Sequence, residues 1–116
     1  MTTLQIKYGT DIKSESFIID AENSEQQIYN FTVIVDGSEN IAHFTVSNNS
    51  SYVEIKQMRN EITVVVKPNL TKDERLNSIT FTHNMDSSIV FVVTIKQRAR
   101  VYGIFVDKLN IQFNPL

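Results

Sequence analysis

His43 and His83 are the only histidines in the chain, and acid–base or metal chemistry near neutral pH would have to be built around them. A zinc site needs clustered ligands, and a catalytic triad needs a nucleophile beside its base; neither spacing occurs. Each histidine stands alone beside Thr or Phe in a separate candidate strand, so both read as surface or edge residues. The absence of cysteine removes thiol nucleophiles, thiolate metal sites and disulfides. Asp73 and Glu74 are adjacent carboxylates in a polar connection, where a solvated turn explains them without glycosidase-like chemistry. Asp36-Gly37-Ser38-Glu39-Asn40 is rich in oxygens but too short for an EF-hand loop, and it reads as a hairpin turn. No catalytic residue, metal or cofactor is expected.

Binding chemistry has better candidates. Sugars stack their apolar faces on exposed aromatic rings while polar groups fix the hydroxyls. Tyr52, preceded by Asn48, Asn49 and Ser51, is the most sugar-like cluster; the alternative is that Tyr52 caps a hydrophobic core. Lys96, Arg98 and Arg100 alternate and project from one face of an extended segment, with Tyr102 next in register. They fit a grip on a partner's carboxylates, or the solvated outer face of an edge strand. Asn30, Asn48, Asn49 and Asn69 match the glycosylation acceptor pattern, which chance explains in a chain rich in Asn, Ser and Thr.

The elements that position these residues are strands. Apolar alternation with period two recurs along the chain, while no sustained pattern at helical spacing does. Strands are expected at Leu4-Ile6-Tyr8, ended by Gly9, and at Phe17-Ile19, with a turn beginning at Asp20. Tyr29-Phe31-Val33-Val35 runs into Asp36-Gly37 and is expected to return through Phe44-Val46. Val53-Ile55 and Ile62-Val64-Val66 follow, the latter stopped by Pro68, which has no N–H for a ladder. The connection from Asn69 to Asn77 is polar, Arg75 is expected to hold it against the sandwich through backbone carbonyls or a nearby carboxylate, and Ile79-Phe81 and Ile89-Phe91-Val93-Ile95 form a hairpin at the centre of the fold. About 7–9 short antiparallel strands with regular turn signals make an all-β, immunoglobulin-like two-sheet sandwich. Its inward set is Phe31, Val33, Phe44, Val53, Ile55, Ile62, Val64, Val66, Ile79, Phe81, Ile89, Phe91, Val93 and Ile95.

The 116 residues suffice for one domain with a continuous core. With 41% hydrophobic and 21% charged residues, the composition is that of a globular, water-soluble protein. A net charge of −2 supplies no cationic field, so nucleic acid is not an expected partner. The start, Met1 to Lys7, carries no basic and apolar export signal, and no apolar stretch is long enough to span a bilayer. The expectation is synthesis in the cytoplasm and no membrane partner.

From about Phe17 to Gln97 the order of features resembles the BACON family, immunoglobulin-like domains common in surface proteins and phages of gut bacteria. Ile62-Thr63-Val64-Val65-Val66, then Asn69, Arg75, Ile79-Thr80-Phe81-Thr82 and Val93-Thr94-Ile95-Lys96-Gln97 look like that family's strand, Asn, Arg, strand and closing V-x-V-x-Q. Tyr52-Val53-Glu54-Ile55 stands where the family usually has a Trp-led strand. The resemblance divides the chain into a sandwich over residues 1–97 and an extension, 98–116, that the pattern does not cover. The extension is apolar, with Val101, Phe105, Leu109, Ile111, Phe113 and Leu116 among its residues. Something must cover them: the domain itself, as extra strands, or a neighbouring chain.

Two functional classes follow. The first is a non-catalytic structural or interaction protein, concretely a small virion component such as a decoration protein on a bacteriophage capsid. The family resemblance implies this, because phages carry such domains on their particles. The partner is then a capsid or other virion protein, or a second copy. Contact would run through Arg98, Arg100, Tyr102, Phe105, Leu109, Ile111 and Phe113. The second is a carbohydrate- or mucin-binding adhesion module of a gut bacterial surface protein, using Asn48, Asn49 and Tyr52.

Overall fold

Ile62, Val64 and Val66 are buried along one strand, while Glu61 is exposed and Thr63 and Val65 are half-buried between them. Period-two alternation of this kind gives each strand one face for a core and one for solvent. The computed structural model describes residues 2–21 and 25–99, and among these nine strands form two facing sheets. They are β1 (Leu4–Tyr8), β2 (Asp11–Lys13), β3 (Phe17–Ala21), β4 (Gln27–Val35), β5 (Phe44–Asn48), β6 (Val53–Met58), β7 (Glu61–Val66), β8 (Arg75–His83) and β9 (Val90–Gln97).

One sheet has the order β2-β1-β4-β7-β6 and the other β3-β9-β8-β5. With β2 set aside as an extra edge, these are the A-B-E-D and A′-G-F-C sheets of an immunoglobulin-like sandwich. Every pairing is antiparallel except β3 with β9, which run parallel with Phe17 opposite Val93. The chain reaches that position by leaving the first sheet after β2 and joining the edge of the second.

Every member of the expected inward set is buried except Ile55 and Ile89, which pack against the core's margin. Leu4, Ile6, Ala21 and Val35 complete the core. Phe81 and Phe91 are direct cross-strand partners on the inner face. The β8–β9 hairpin is the central pair of its sheet.

Three local expectations are corrected, and one strand was not anticipated. Phe44–Val46 is not the return strand of β4. The Asp36-Gly37 turn does form, with φ of 52° and 82° and reciprocal Val35–Ser38 backbone bonds of 2.9 Å. Both edges of β4 are occupied by β1 and β7, however, so the chain crosses over and β5 pairs with β8 in the facing sheet. Asp20 and Ala21 extend β3 rather than turning, because Ala21 is buried against the core beside Gln97. The polar connection is shorter than Asn69 to Asn77, since β8 begins at Arg75. Strand β2 has a single apolar residue, Ile12, and that one is exposed, so alternation gave no sign of it.

Candidate functional site

The residues that carry the family resemblance converge on one end of the sandwich. Strands β7 and β8 lie in different sheets, and the link between them must be fastened to the core. Asn69, fully buried, does this from within the link. Its Nδ2 donates to the carbonyls of Asp73 (2.8 Å) and Arg98 (3.1 Å), and its Oδ1 accepts from the Thr71 N–H (3.1 Å) and hydroxyl (2.6 Å). Arg75 Nη2 donates to the carbonyls of Lys67 and Pro68, each at 2.9 Å, and its Nε donates to Gln97 Oε1 at 2.9 Å. Gln97, also fully buried, accepts a second bond from Asn77 Nδ2 (3.0 Å) and donates from Nε2 to the Lys67 carbonyl (2.8 Å). Asn, Arg and Gln therefore serve the chain's own backbone, pairing the part-buried carbonyls of the link and of the strand end.

Tyr52 is beside this assembly. The residue is 44% exposed and lies outside the core, so it does not cap the sandwich. The reason is register: Val53, the next residue, is turned inward, and alternation sends Tyr52 out. One face of the ring carries the Arg75 guanidinium, with Cζ 3.7 Å from the centroid, a cation–π stack. Asn48 and Asn49 are exposed neighbours in sequence but their side-chain oxygens are engaged. Asn48 Oδ1 accepts from the Ser50 N–H (2.9 Å), and Asn49 Oδ1 from the Ser78 N–H (2.8 Å). Among the described residues, what the cluster offers a ligand is the second face of Tyr52 and the two amide nitrogens.

Lys96 lies 3.7 Å from Glu74 in an exposed ion pair. Arg98 contributes its carbonyl to Asn69. Arg100, Tyr102, Phe105, Leu109, Ile111 and Phe113 lie outside the described residues. Asn69, one of the glycosylation matches, has its amide nitrogen committed to two carbonyls in a buried site.

His43 is exposed, but His83 is not the surface or edge residue that its sequence context suggests. It is buried, because β8 runs long enough to carry it inward in step with Phe81. Its Nδ1 accepts from the Met85 N–H at 3.0 Å, which leaves the ring hydrogen to Nε2, and Nε2 donates to Asp36 Oδ1 at 3.0 Å. Asp36 also accepts from the Thr3 N–H at 2.8 Å, while its own N–H donates to the Thr3 carbonyl. These two donors, the Thr3 amide first and His83 second, hold the Asp36 carboxyl below its ordinary range. A catalytic dyad has the opposite arrangement, with the carboxylate buried and the imidazole open to substrate. Here both imidazole nitrogens are spent, and the pair ties the Asp36-Gly37 turn to the facing sheet. No signal in the local sequence links residues 36 and 83, which are remote along the chain.

A cleft opens next to that pair, at the opposite end of the sandwich from the Asn69 assembly. It has a volume of about 590 Å³ and lies between Thr2–Gln5 on one sheet and Ser88–Phe91 on the other, with Ser14–Ser16 crossing its mouth. Among the described residues no group of three or more His, Asp or Glu side chains is placed to hold a metal ion.

The fold and these contacts define an all-β immunoglobulin-like domain in which the described polar side chains Asn69, Arg75, Gln97 and His83 hold turns and links. No family model matches the chain, and no curated protein matches it. Solved structures share its fold. One is described as a Bacteroides ovatus GH5 xyloglucanase in complex with a XXXG heptasaccharide, with a TM-score of 0.56, 14% identity, and coverage of 84% of this chain and 19% of that one. This chain thus spans about a fifth of that protein. Another, described as the NMR structure of a protein from Bacteroides thetaiotaomicron, gives a TM-score of 0.54 at 15% identity, covering 82% of this chain and 87% of the other. At such identities the likeness is one of fold.

Proposed function

We propose that this chain is a non-catalytic structural and interaction domain, concretely a small virion component that decorates a bacteriophage capsid. The observation that carries the non-catalytic part is the fate of the chemistry-bearing side chains. Asn69, Arg75, Asn77, Gln97 and the His83–Asp36 pair are all engaged with the protein's own groups. What the domain presents outward is broad sheet surface. On the second sheet that surface carries the hydroxyls of Thr45, Ser47, Ser78, Thr80, Thr82 and Thr94, none of them buried. The virion reading draws on the resemblance to BACON domains and on the apolar residues after Gln97, which suit contact with a neighbouring protein. Antibodies against the chain, applied to purified bacteriophage particles from a culture that produces it, test the proposal. Labelling of intact capsids is expected; particles free of the protein would overturn it.

A carbohydrate-binding reading has one observation of its own, the outward Tyr52 with a single ring face covered. It predicts that soluble plant or mucin glycans bind the wild-type chain and that Tyr52→Ala abolishes the binding. A chain silent towards both glycan classes would end that reading.

A further inference from the structure

The cleft of about 590 Å³ is where two strands run out of partners among the described residues. Strand β1 is paired with β4 on one side along its length, but with β2 on the other side only from Ile6 onward. Thr3 turns both its N–H and its carbonyl towards Asp36, on the β4 side. Strand backbones alternate, so the N–H and carbonyl of Leu4 turn the other way, into the cleft. Strand β9 is likewise open at its start, since β3 joins it only at Val93. Ser16 Oγ accepts from the Val92 N–H at 2.9 Å, which fixes the even-numbered residues as those facing the β3 side. The Ile89 carbonyl accepts from His83, on the β8 side, as the alternation requires. The N–H and carbonyl of Val90 therefore face the cleft as well. An open strand edge is a template for another strand.

The floor between these edges is apolar, from Leu4, Ile89 and Phe91, and the rim is polar, from Gln5, Ser14 and Ser88. That pattern matches a strand with one apolar and one polar face. Leu109-Asn110-Ile111-Gln112-Phe113 has this alternation: Leu109, Ile111 and Phe113 on one side, Asn110 and Gln112 on the other.

We propose that the cleft accepts residues Leu109–Phe113 of a second copy of this chain as an added strand. Direction favours a second copy over the chain's own segment. From Val90 to Gln97, β9 carries the chain away from the cleft by about 23 Å. To fill its own cleft the chain would have to reverse after Gln97 and run back along the sandwich. A copy placed head to tail meets residue 109 within the roughly 36 Å that residues 98–108 span when extended, without reversal. Such a contact is heterologous, so it builds open chains or closed rings. The inference rests on the reading of the extension as an interaction segment, and it stands independently of whether the assembly is a virion.

The test uses full-length chains in sedimentation velocity. Wild type is expected to associate with rising concentration, and both Ile111→Asp/Phe113→Asp and Val90→Pro are expected to sediment as monomers. Mixed together, the two variants should form a one-to-one dimer and nothing larger, because only one cleft and one donor strand remain functional. Should Val90→Pro fail to fold, Ser88→Trp, which crowds the same cleft, takes its place. A wild type that stays monomeric at all concentrations overturns the inference, as does association unaffected by the Ile111 and Phe113 substitutions. A wild type that labels capsids yet does not self-associate overturns this inference alone and leaves the proposed function standing.

Discussion

Replacing Gln97 with Leu removes the hub of the polar assembly while keeping most of its volume. Three hydrogen bonds go: those from Arg75 Nε (2.9 Å) and Asn77 Nδ2 (3.0 Å), and that to the Lys67 carbonyl (2.8 Å). Their losses are unequal. The Lys67 carbonyl keeps Arg75 Nη2, and Arg75 is half exposed, so water replaces much of what its Nε loses. Asn77 is fully buried and retains only a 3.3 Å bond to the Ile95 carbonyl, and its Oδ1 has no partner among the described residues. Stranding the Asn77 amide costs about 1–3 kcal/mol, and the weakened Arg75 anchor adds about 1 kcal/mol after its exposure is discounted. The expected destabilisation is therefore about 2–4 kcal/mol, a Tm lowered by roughly 8–16 °C for a domain of this size. Urea unfolding with an unchanged m-value is the direct assay. A double-mutant cycle with Arg75→Met should show a coupling of about 1–2 kcal/mol. A Gln97→Leu chain within about 0.5 kcal/mol of wild type would refute the argument that this assembly fastens the β7–β8 link.

Further outcomes follow from the core, the turn and the His83–Asp36 pair. Phe91→Ala, opposite Phe81 in the core, should lose about 3–5 kcal/mol in the same urea titration. Gly37→Val should lose about 1–2 kcal/mol; the space around a Cβ at Gly37 is open, so the whole cost comes from the φ of +82°, and Gly37→Asn should recover most of it. Asp36 has a depressed carboxyl pKa in the folded state, so it stabilises the fold above its unfolded value of 3.8 and loses that effect as pH falls through the lower folded value. Asp36→Asn should therefore melt below wild type at neutral pH, with the two melting curves converging in strong acid; a gap independent of pH would contradict the assignment.

The strands and their inward faces were legible because alternation is a local property. Ile62, Val64 and Val66, or Phe91, Val93 and Ile95, declare a buried face within a few residues, and the hydrophobic effect makes that face the core wherever the strand pairs. The Asp36-Gly37 turn was legible for a similar reason, since Gly and Asp tolerate positive φ. Tertiary structure decided what local patterns do not encode. Whether Phe44 returns beside β4 or crosses to β8 depends on which strand edges are already occupied, and β1 and β7 had filled both sides of β4. His83 looked like a surface residue because its partner, Asp36, is remote in sequence and comes near only when the two sheets stack. That Arg75 holds the link through backbone carbonyls was legible, and it does so at Lys67 and Pro68; that Asn69 and Gln97 join it in one assembly was not, because they meet only when the link between sheets closes. The cleft between the open ends of β1 and β9 belongs to neither strand alone: it exists because one chain segment changes sheets between Lys13 and Phe17, and only the folded topology places two unfinished edges face to face.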